Sequence, residues 1–281
     1  EFAREFAKVR LLRHSDGKNK GAGASRNLGI ENAKFDYIAF LDADDFFLPG
    51  RFSAAKQLFE TDPQIDGVYE AVGVHFENET AEQRWRAYHP VMMTTMTEKV
   101  PPDRLFESQA PLGGFGYCPT GGWVVKQSLF DKTGPVDENL RLHQDTAMFV
   151  KFAAVGRMVA GRLDEPVAMR RVHDHNRISA ERPNVEVYRN LILMWTTLWM
   201  WSKIHLNEKH QRILLRRLLD YAAVPYSKTT SRLIKRFQSI CQLTLLLLQY
   251  PELCLETFFW KKYIAKFYIH KFIYSIFLRK C

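Results

Sequence analysis

The sequence predicts an α/β fold followed by an all-helical extension, and three observations carry this prediction. Short apolar runs rich in aromatic and β-branched residues, such as residues 36–42 (DYIAFLD) and 66–76 (DGVYEAVGVHF), are typical of strands. Helical patterns lie between the strands, for example at residues 24–34 (ASRNLGIENAK) and 144–156 (QDTAMFVKFAAVG). Strands that alternate with helices are typical of layered α/β domains. Beyond about residue 183 only long helical patterns remain.

The other elements of the first part follow in chain order. Residues 1–12 predict the end of an amphipathic helix that runs into a short strand. Pro49 lies where the first turn of a helix tolerates proline. The stretch from Pro90 to Gly122 is predicted to be irregular because turn residues cluster in it. Residues 121–134 then predict a strand and a short helix, and residues 157–173 predict an extended segment.

Charge divides the chain near the point where the pattern changes. Residues 181–281 contain 17 basic and 6 acidic residues, a net charge of +11, which leaves 23 basic and 25 acidic residues, a net of −2, for residues 1–180. We therefore predict a first domain at 1–180 and a basic, aromatic-rich helical extension at 181–281. Such asymmetry indicates a surface for an anionic partner, either a membrane or a nucleic acid. The four cysteines are scattered without metal-binding spacing, as in a cytosolic protein with reduced thiols.

Three carboxylates, Asp42, Asp44 and Asp45, follow the apolar run at 36–42. Ligands of open α/β sheets bind outside the carboxyl ends of the strands, and crowded carboxylates repel one another unless a cation compensates. Mg²⁺ and Mn²⁺ are commonly held by one or two carboxylates together with substrate phosphates. The cluster therefore predicts a metal–diphosphate site. The alternative is an acidic turn that caps the helix after Pro49.

The surrounding motifs resemble a known family. Residues 21–52 (GAGASRNLGIENAKFDYIAFLDADDFFLPGRF) are similar to the central signature of family-two glycosyltransferases, which have the GT-A fold, with "SRNLG" opening a helix and "DAD" ending the next strand. Residues 133–156 (TGPVDENLRLHQDTAMFVKFAAVG) resemble the family's turn followed by an acidic pair on a helix. Residues 170–179 (RRVHDHNRIS) resemble its closing strand. The resemblance covers roughly residues 8–180.

Two features depart from the family pattern. The acidic pair begins with Gln144 where the family usually has glutamate, although Asp145 is retained. The family's first two strands, which should precede residue 1, have no counterpart in this sequence. By this resemblance the chain is expected to be an N-terminally truncated GT-A domain with a helical extension.

The resemblance implies roles on the donor side of a glycosyl transfer. It gives a divalent ion, Mn²⁺ or Mg²⁺, to Asp44 and places Asp42 nearer the ribose and donor sugar, with Asp45 beside them. His173 is a candidate to complete the metal shell, and a surface or hydrogen-bonded histidine is the competing interpretation. Arg26 suits a phosphate or nucleobase contact because its planar fork matches anionic oxygens, the alternative being an ordinary surface arginine.

On the acceptor side, Asp145 is the residue that the resemblance assigns as the base for the acceptor hydroxyl. The competing interpretation is a helix N-terminal carboxylate stabilised by the helix dipole. Gly121 and Gly122 are candidates for letting backbone approach an acceptor, or simply for turning a corner. Trp123 is a candidate for stacking on a sugar ring, or for a place in the core. The expected partners are a nucleotide-diphosphate sugar and a carbohydrate or lipid-linked acceptor.

The basic extension is expected to bind a membrane surface without crossing the bilayer. Its apolar runs are shorter than the about 20 residues needed for a span. Residues 261–281 combine a lysine stripe with many aromatics, which suits the headgroup boundary of an anionic membrane. The alternative is a helix packed on its neighbours. A nucleic acid is not expected as a partner, because no nucleic-acid motif is present.

The sequence thus predicts a cytoplasmic glycosyltransferase that is peripheral on the inner face of a membrane, inverting and metal-dependent. A catalytically inert carbohydrate- or nucleotide-binding module is the competing hypothesis, and Gln144 together with the unmatched first strands favours it.

Overall fold

The protein forms two compact units, Glu1–Glu181 and Arg182–Cys281. The structure is a computed structural model that describes residues 8–88, 91–173, 184–225 and 231–267. The first unit is mixed α/β and the second is helical, so the predicted α/β fold with a helical extension is confirmed. The predicted helix before residue 8, the end of the RRVHDHNRIS segment and most of the last predicted helix lie outside the described residues.

The first unit contains two mixed sheets. In the described residues the strands are β1 (Tyr37–Ile38), β2 (Phe46–Phe47), β3 (Gly67–Tyr69), β4 (Ala71–Phe76), β5 (Met93–Thr94), β6 (Trp123–Lys126), β7 (Met158–Ala160) and β8 (Pro166–Val172). One sheet has the strand order β1–β6–β3–β7, and the other has the order β2–β8–β4–β5. Only the pairs β3–β7 and β4–β8 are parallel among these strands.

Helices alternate with strands or strand pairs along the first unit, as the sequence pattern predicts. They are α1 (Ala22–Glu31), α2 (Ser53–Thr61), α3 (Glu79–Tyr88), α4 (Pro102–Ser108), α5 (Leu129–Thr133) and α6 (Gln144–Val155). Helix α6 is apolar around most of its circumference, and nearly all of it from Ala147 to Ala153 is buried. A helix of this kind belongs to the core, so its position is fixed by packing on all sides.

Two predicted strands differ from the observed ones. The run at 36–42 forms a strand only at Tyr37–Ile38, since β1 pairs only with β6 among the described strands and residues 39–42 have no ladder partner. The run at 66–76 forms two strands, because the chain leaves one sheet and enters the other at Glu70. There the Glu70 N–H donates to the Gly122 carbonyl oxygen (3.0 Å) and the Ala71 N–H to that of Arg162 (2.9 Å).

A buried ion pair lies at this crossing between the sheets. The Arg51 Nη1 atom is 2.7 Å from Glu70 Oε2, and the two side chains are only 2% and 0% exposed. Arg51 Nη2 also donates to the Trp123 carbonyl oxygen (3.0 Å), and the Arg162 N–H donates to Glu70 Oε1 (3.3 Å). Burial lowers the pKa of Arg51, and the neighbouring Glu70 carboxylate opposes that shift. The pair therefore links Arg51, in the segment after the acidic cluster, to Glu70, where the chain passes from one sheet to the other.

The second unit is built from long helices. They are α7 (Asn184–His205), α8 (Glu208–Ala222), α9 (Arg232–Gln249) and α10 (Thr257–Phe267), with a 3₁₀ turn at Pro251–Leu255. Asn207 caps α8 by accepting a hydrogen bond from the His210 N–H at 3.0 Å. Within the described ranges, none of the helices has the length and apolarity required to cross a bilayer.

Glu70→Gln is expected to destabilise the first unit by about 3–5 kcal/mol, because it leaves the buried Arg51 guanidinium without a counter-charge. Urea unfolding of the chain measures the change. The control is Glu60→Gln, which removes the exposed Lys56–Glu60 pair (3.8 Å) and should cost less than about 1 kcal/mol. Similar losses in the two variants would contradict a special role for the buried pair.

Candidate functional site

The start of helix α1 holds the first part of the site. Gly21 precedes the helix with φ 91°, a left-handed conformation that glycine adopts without strain. In the second turn of the helix the buried Asn27 side chain donates to the Val136 carbonyl oxygen (2.9 Å) and to Glu138 Oε1 (2.9 Å), and accepts from the Val136 N–H (2.8 Å). Asn27 thus attaches α1 to the turn before α6. Asn27 belongs to the SRNLG motif, but the motif alone indicated no role for it.

Arg26 joins the acidic strand end to helix α6. Its Nη2 atom donates to Asp42 Oδ1 at 2.9 Å, and its Nη1 atom donates to Gln144 Oε1 at 3.2 Å. The Arg26 side chain is 18% exposed and that of Asp42 is 54% exposed. The arginine is therefore largely buried, whereas the carboxylate faces solvent. Gln144 is itself fixed, because its Nε2 atom donates to the Leu140 carbonyl oxygen.

Asp145 lies in the first turn of α6, next to Gln144. Its Oδ1 atom accepts the Thr146 N–H at 2.8 Å, which orients the carboxylate. Together with Arg26 and Gln144 it lines a small cleft. The rest of the lining comes from Phe40, Thr120, Trp123, Val136 and Met148.

The pairing of β2 with β8 brings a second group together. Phe46 lies opposite Met169 and Phe47 opposite Ala168 in an antiparallel register. Continued backwards along β2 and forwards along β8, this register places Asp44 opposite Arg171, two residues before His173. The Asp44 Oδ2 and His173 Nε2 atoms are 3.3 Å apart. His173, which directly follows β8, therefore lies against the acidic cluster.

Asp45 is tied to both neighbouring segments by hydrogen bonds. Its N–H donates to the Asp42 carbonyl oxygen (3.0 Å), and its Oδ1 atom accepts the Arg171 N–H (3.1 Å). Burial raises the pKa of Asp45 and the nearby Asp44 and Asp42 charges raise it further, while the Arg171 N–H acts in the opposite direction. The ionised form of this side chain is therefore disfavoured in the folded state.

The residues present can supply part of a metal shell. Across the ranges that the structure describes, no group of three or more His, Cys, Asp or Glu side chains is arranged to hold a metal ion. Asp44 and His173 offer one carboxylate and one imidazole at close range. Mn²⁺ accepts both ligand types, whereas Mg²⁺ prefers oxygen. The pair fits an ion that takes its remaining ligands from substrate oxygens and water.

The three acceptor-side candidates next to the cleft differ in their surroundings. A Cβ atom on Gly122 would lie 2.2 Å from the Glu70 carbonyl oxygen, whereas one on Gly121 would make only ordinary contacts, the nearest at 3.6 Å to Ala168. Trp123 is 1% exposed, and its ring stacks on Phe149 with a centroid distance of 5.3 Å. Gly122 is thus required for close packing at the sheet crossing, and the Trp123 indole lies in the core without a free face.

Comparison with known proteins places this architecture in a class. Residues 1–134 match the family model described as Glycosyl transferase family 2. The chain is 25% identical over 170 residues to an uncharacterized glycosyltransferase of Haemophilus influenzae, covering 60% of this chain and 53% of that protein. It is 43% identical over 53 residues to an uncharacterized glycosyltransferase of Rickettsia felis, covering 19% of this chain and 9% of that one.

Among solved structures, the chain is similar to S. aureus TarS 1-349 in complex with UDP. That similarity has a TM-score of 0.49 at 18% identity and covers 88% of this chain and 69% of the other.

The first unit is thus an α/β domain of the glycosyltransferase class. Its first 134 residues match the model of glycosyl transferase family 2, which confirms the resemblance seen in the sequence. The chain spans about half the length of the Haemophilus influenzae relative.

Asp45→Asn is expected to raise the unfolding temperature of the chain at neutral pH in EDTA. A carboxyl group whose pKa is raised on folding stabilises the folded state below its ordinary value of 3.8 and loses that contribution as the pH rises through the folded value. The advantage of the variant should therefore shrink as the pH falls below about 4. Thermal unfolding at several pH values measures this. The exposed Asp36→Asn is the control, and a wild type more stable than Asp45→Asn at neutral pH would contradict the argument.

Gly122→Ala is expected to destabilise the chain by about 1–3 kcal/mol, because the new methyl group meets the backbone of Glu70. Gly121→Ala is the matched control, expected to be neutral or stabilising by up to about 1 kcal/mol. Chemical unfolding of the two variants compares them, and equal stability would mean that the crossing is looser than the structure shows.

Proposed function

We propose that this chain transfers a sugar from a nucleotide-diphosphate donor to an acceptor hydroxyl, with inversion at the anomeric carbon. The observation that carries the proposal is Arg26, which binds Asp42 on one side and Gln144 on the other. It connects an acidic strand end, suited to a diphosphate and its cation, to a cleft that contains the carboxylate of Asp145. The match to glycosyl transferase family 2 supports the same chemistry.

Asp145 is proposed as the general base. In the reaction the acceptor oxygen forms a bond to the anomeric carbon and its proton passes to the Asp145 carboxylate. The bond from that carbon to the diphosphate oxygen breaks, and the nucleoside diphosphate leaves with the electron pair. A positioned base of this kind typically contributes about 10²–10⁴-fold. The hydrogen bond from the Thr146 N–H leaves Asp145 Oδ2 available for this role in the cleft.

Arg26 is proposed to contact the donor. Two of its guanidinium N–H groups are used by Asp42 and Gln144, and the fork carries about five such donors in all. Because Gln144 is neutral, the guanidinium charge is balanced in this site by one carboxylate rather than two. The remaining N–H donors suit the oxygens of an anionic diphosphate.

A divalent ion, Mn²⁺ or Mg²⁺, is proposed to be held by Asp44 and His173. When bound, it would neutralise the negative charge that develops on the departing diphosphate. Asp42 and Asp45 border this position and are proposed to face the donor sugar and ribose. A cation bound at this position would reduce the repulsion between the Asp44 and Asp45 carboxylates.

The acceptor is proposed to enter along the Thr120–Gly122 turn, which borders the cleft. Its proposed class is a carbohydrate or a lipid-linked sugar. We also propose that the chain works on the cytoplasmic face of a membrane, held there by its basic residues 181–281. Nucleotide sugars are cytosolic, and the net charge of +11 in this part of the chain favours an anionic surface.

A catalytically inert binding module is the second candidate, and Gln144 is the observation that favours it. A nucleotide-sugar panel assayed with Mn²⁺ separates the two. Release of nucleoside diphosphate supports the transferase, whereas binding without release supports the module.

Asp145→Asn is expected to lower turnover by about 10²–10⁴-fold and to leave nucleotide affinity nearly unchanged, since the base acts on the acceptor hydroxyl. Steady-state kinetics and calorimetry with UDP and GDP measure the two effects. Asp131→Asn, which removes a carboxylate from the first turn of α5, is the control. Wild-type turnover in Asp145→Asn would remove this residue from the mechanism.

Mn²⁺ affinity is expected to rise at least about tenfold when UDP or GDP is added, because the substrate oxygens complete a shell that Asp44 and His173 only begin. Asp44→Ala should abolish this coupling, while Asp103→Ala on helix α4 should preserve it. Titration calorimetry with and without nucleotide measures the coupling. An affinity for Mn²⁺ that does not respond to nucleotide would refute the proposed metal position.

A further inference from the structure

Helix α9 (Arg232–Gln249) presents an unusual surface to solvent. Five large apolar side chains on it are between 48% and 73% exposed. They are Leu233, Ile234, Phe237, Leu245 and Leu248, and together they form what is called here the apolar stripe. Exposed apolar residues also follow one side of α7, but three of these four, Val185, Leu193 and Met200, are only 36–40% exposed.

The members of the apolar stripe lie on one side of the helix. At about 100° per residue, they fall within an arc of about 120°. The buried residues of the same helix, Ser239, Leu243 and Leu246, lie on the opposite side, where Ser239 donates to the Ala223 carbonyl oxygen (2.8 Å). Thr244 lies within the same arc as the stripe and contacts the hydroxyl of Tyr263 on α10 (3.0 Å). Helix α10 thus contacts α9 between Phe237 and Leu245, while the five apolar side chains of the stripe stay exposed.

The charges of α9 identify what covers the apolar stripe. The helix contains three basic residues, Arg232, Lys235 and Arg236, and no acidic residue. On the helical projection Lys235 and Arg236 lie on either side of the stripe, each within about 80° of its edge. A narrow apolar face flanked by long basic side chains is the arrangement of a helix that lies in the plane of an anionic lipid surface.

We propose that helix α9 lays its apolar stripe into the headgroup boundary of an anionic membrane, with Lys235 and Arg236 on the lipid phosphates. This inference rests on the membrane association in the proposed function and names the element that carries it. It differs from the sequence-based expectation, which assigned that role to residues 261–281.

A second copy of the chain fits the apolar stripe less well. From Leu233 to Leu248 the stripe is about 23 Å long at about 1.5 Å per residue and about 10 Å wide. That area of about 230 Å² is well below the about 800 Å² per partner of a standard protein interface. Insertion into lipid has no such threshold, because each side chain contributes in proportion to its own buried area.

Co-sedimentation of the whole chain with vesicles tests the proposal. We expect binding to vesicles that contain phosphatidylglycerol and much weaker binding to phosphatidylcholine alone. The double variant Phe237→Gln/Leu245→Gln should lower the partition constant about 100-fold, at about tenfold per side chain. Lys235→Gln/Arg236→Gln should lower it about fivefold per residue on anionic vesicles only.

Phe35→Gln is the matched control, since Phe35 is 80% exposed but lies in the first unit. It should bind vesicles like the wild type. Circular dichroism is expected to show unchanged helix content in all variants, because the substituted side chains are exposed.

Deletion of residues 261–281 separates this inference from the broader membrane proposal. Anionic binding that survives the deletion and falls in the apolar-stripe variants supports the role of α9. Binding that is lost on deletion and unchanged in Phe237→Gln/Leu245→Gln overturns that role and keeps the membrane proposal. No binding by the wild type overturns both. A wild-type dimer in solution that Phe237→Gln/Leu245→Gln makes monomeric, with unchanged lipid affinity, assigns the stripe to self-association instead and overturns the inference.

Discussion

The buried Arg51–Glu70 ion pair is the constraint on which the first unit depends. Glu70 is the residue at which one stretch of chain passes from the first sheet to the second, and Arg51 closes the loop that follows the acidic cluster. Two opposite charges in the interior are costly to desolvate, so the pair persists only with further hydrogen bonds to satisfy it. The Trp123 carbonyl oxygen and the Arg162 N–H supply these bonds, and they belong to the two segments that border the site. The position of the acidic cluster relative to the cleft is therefore set by a polar contact in the core.

The site itself is organised by side chains that bind across the sequence. Arg26 spans from Asp42 to Gln144, and Asn27 holds the same helix against the turn that precedes α6. Consecutive residues of one helix thus fix two separate segments in place. These bonds hold the Arg26 guanidinium and the start of α6 in one arrangement without a ligand, which is the kind of pre-organisation that lowers reorganisation in enzyme sites.

The sequence could predict the elements that local pattern determines. It could not predict strand boundaries that depend on residues distant in the sequence. The alternation of strands and helices followed from periodicity. The division of residues 66–76 at Glu70 could not be predicted from that run. Its cause is distant in sequence, because Arg51 pairs with the Glu70 side chain and the Gly122 carbonyl oxygen accepts the Glu70 N–H. The short β1 strand had the same cause, since a strand pattern does not reveal whether a pairing partner exists. In the second unit, helical periodicity identified α9 but could not show which of its two apolar faces is packed.

The passage of one strand-forming run through both sheets has a consequence for how the first unit opens. The amides of Glu70 and Ala71 are bonded to segments from different parts of the chain, one on each side of the crossing. Opening either sheet at this point also requires the Arg51–Glu70 ion pair to separate. The free energy of opening one sheet alone is therefore close to that of opening both. Regions joined in this way exchange their amide hydrogens through the same rare opening. The acidic cluster and the cleft at the start of α6, which belong to these regions, therefore share one unit of local stability.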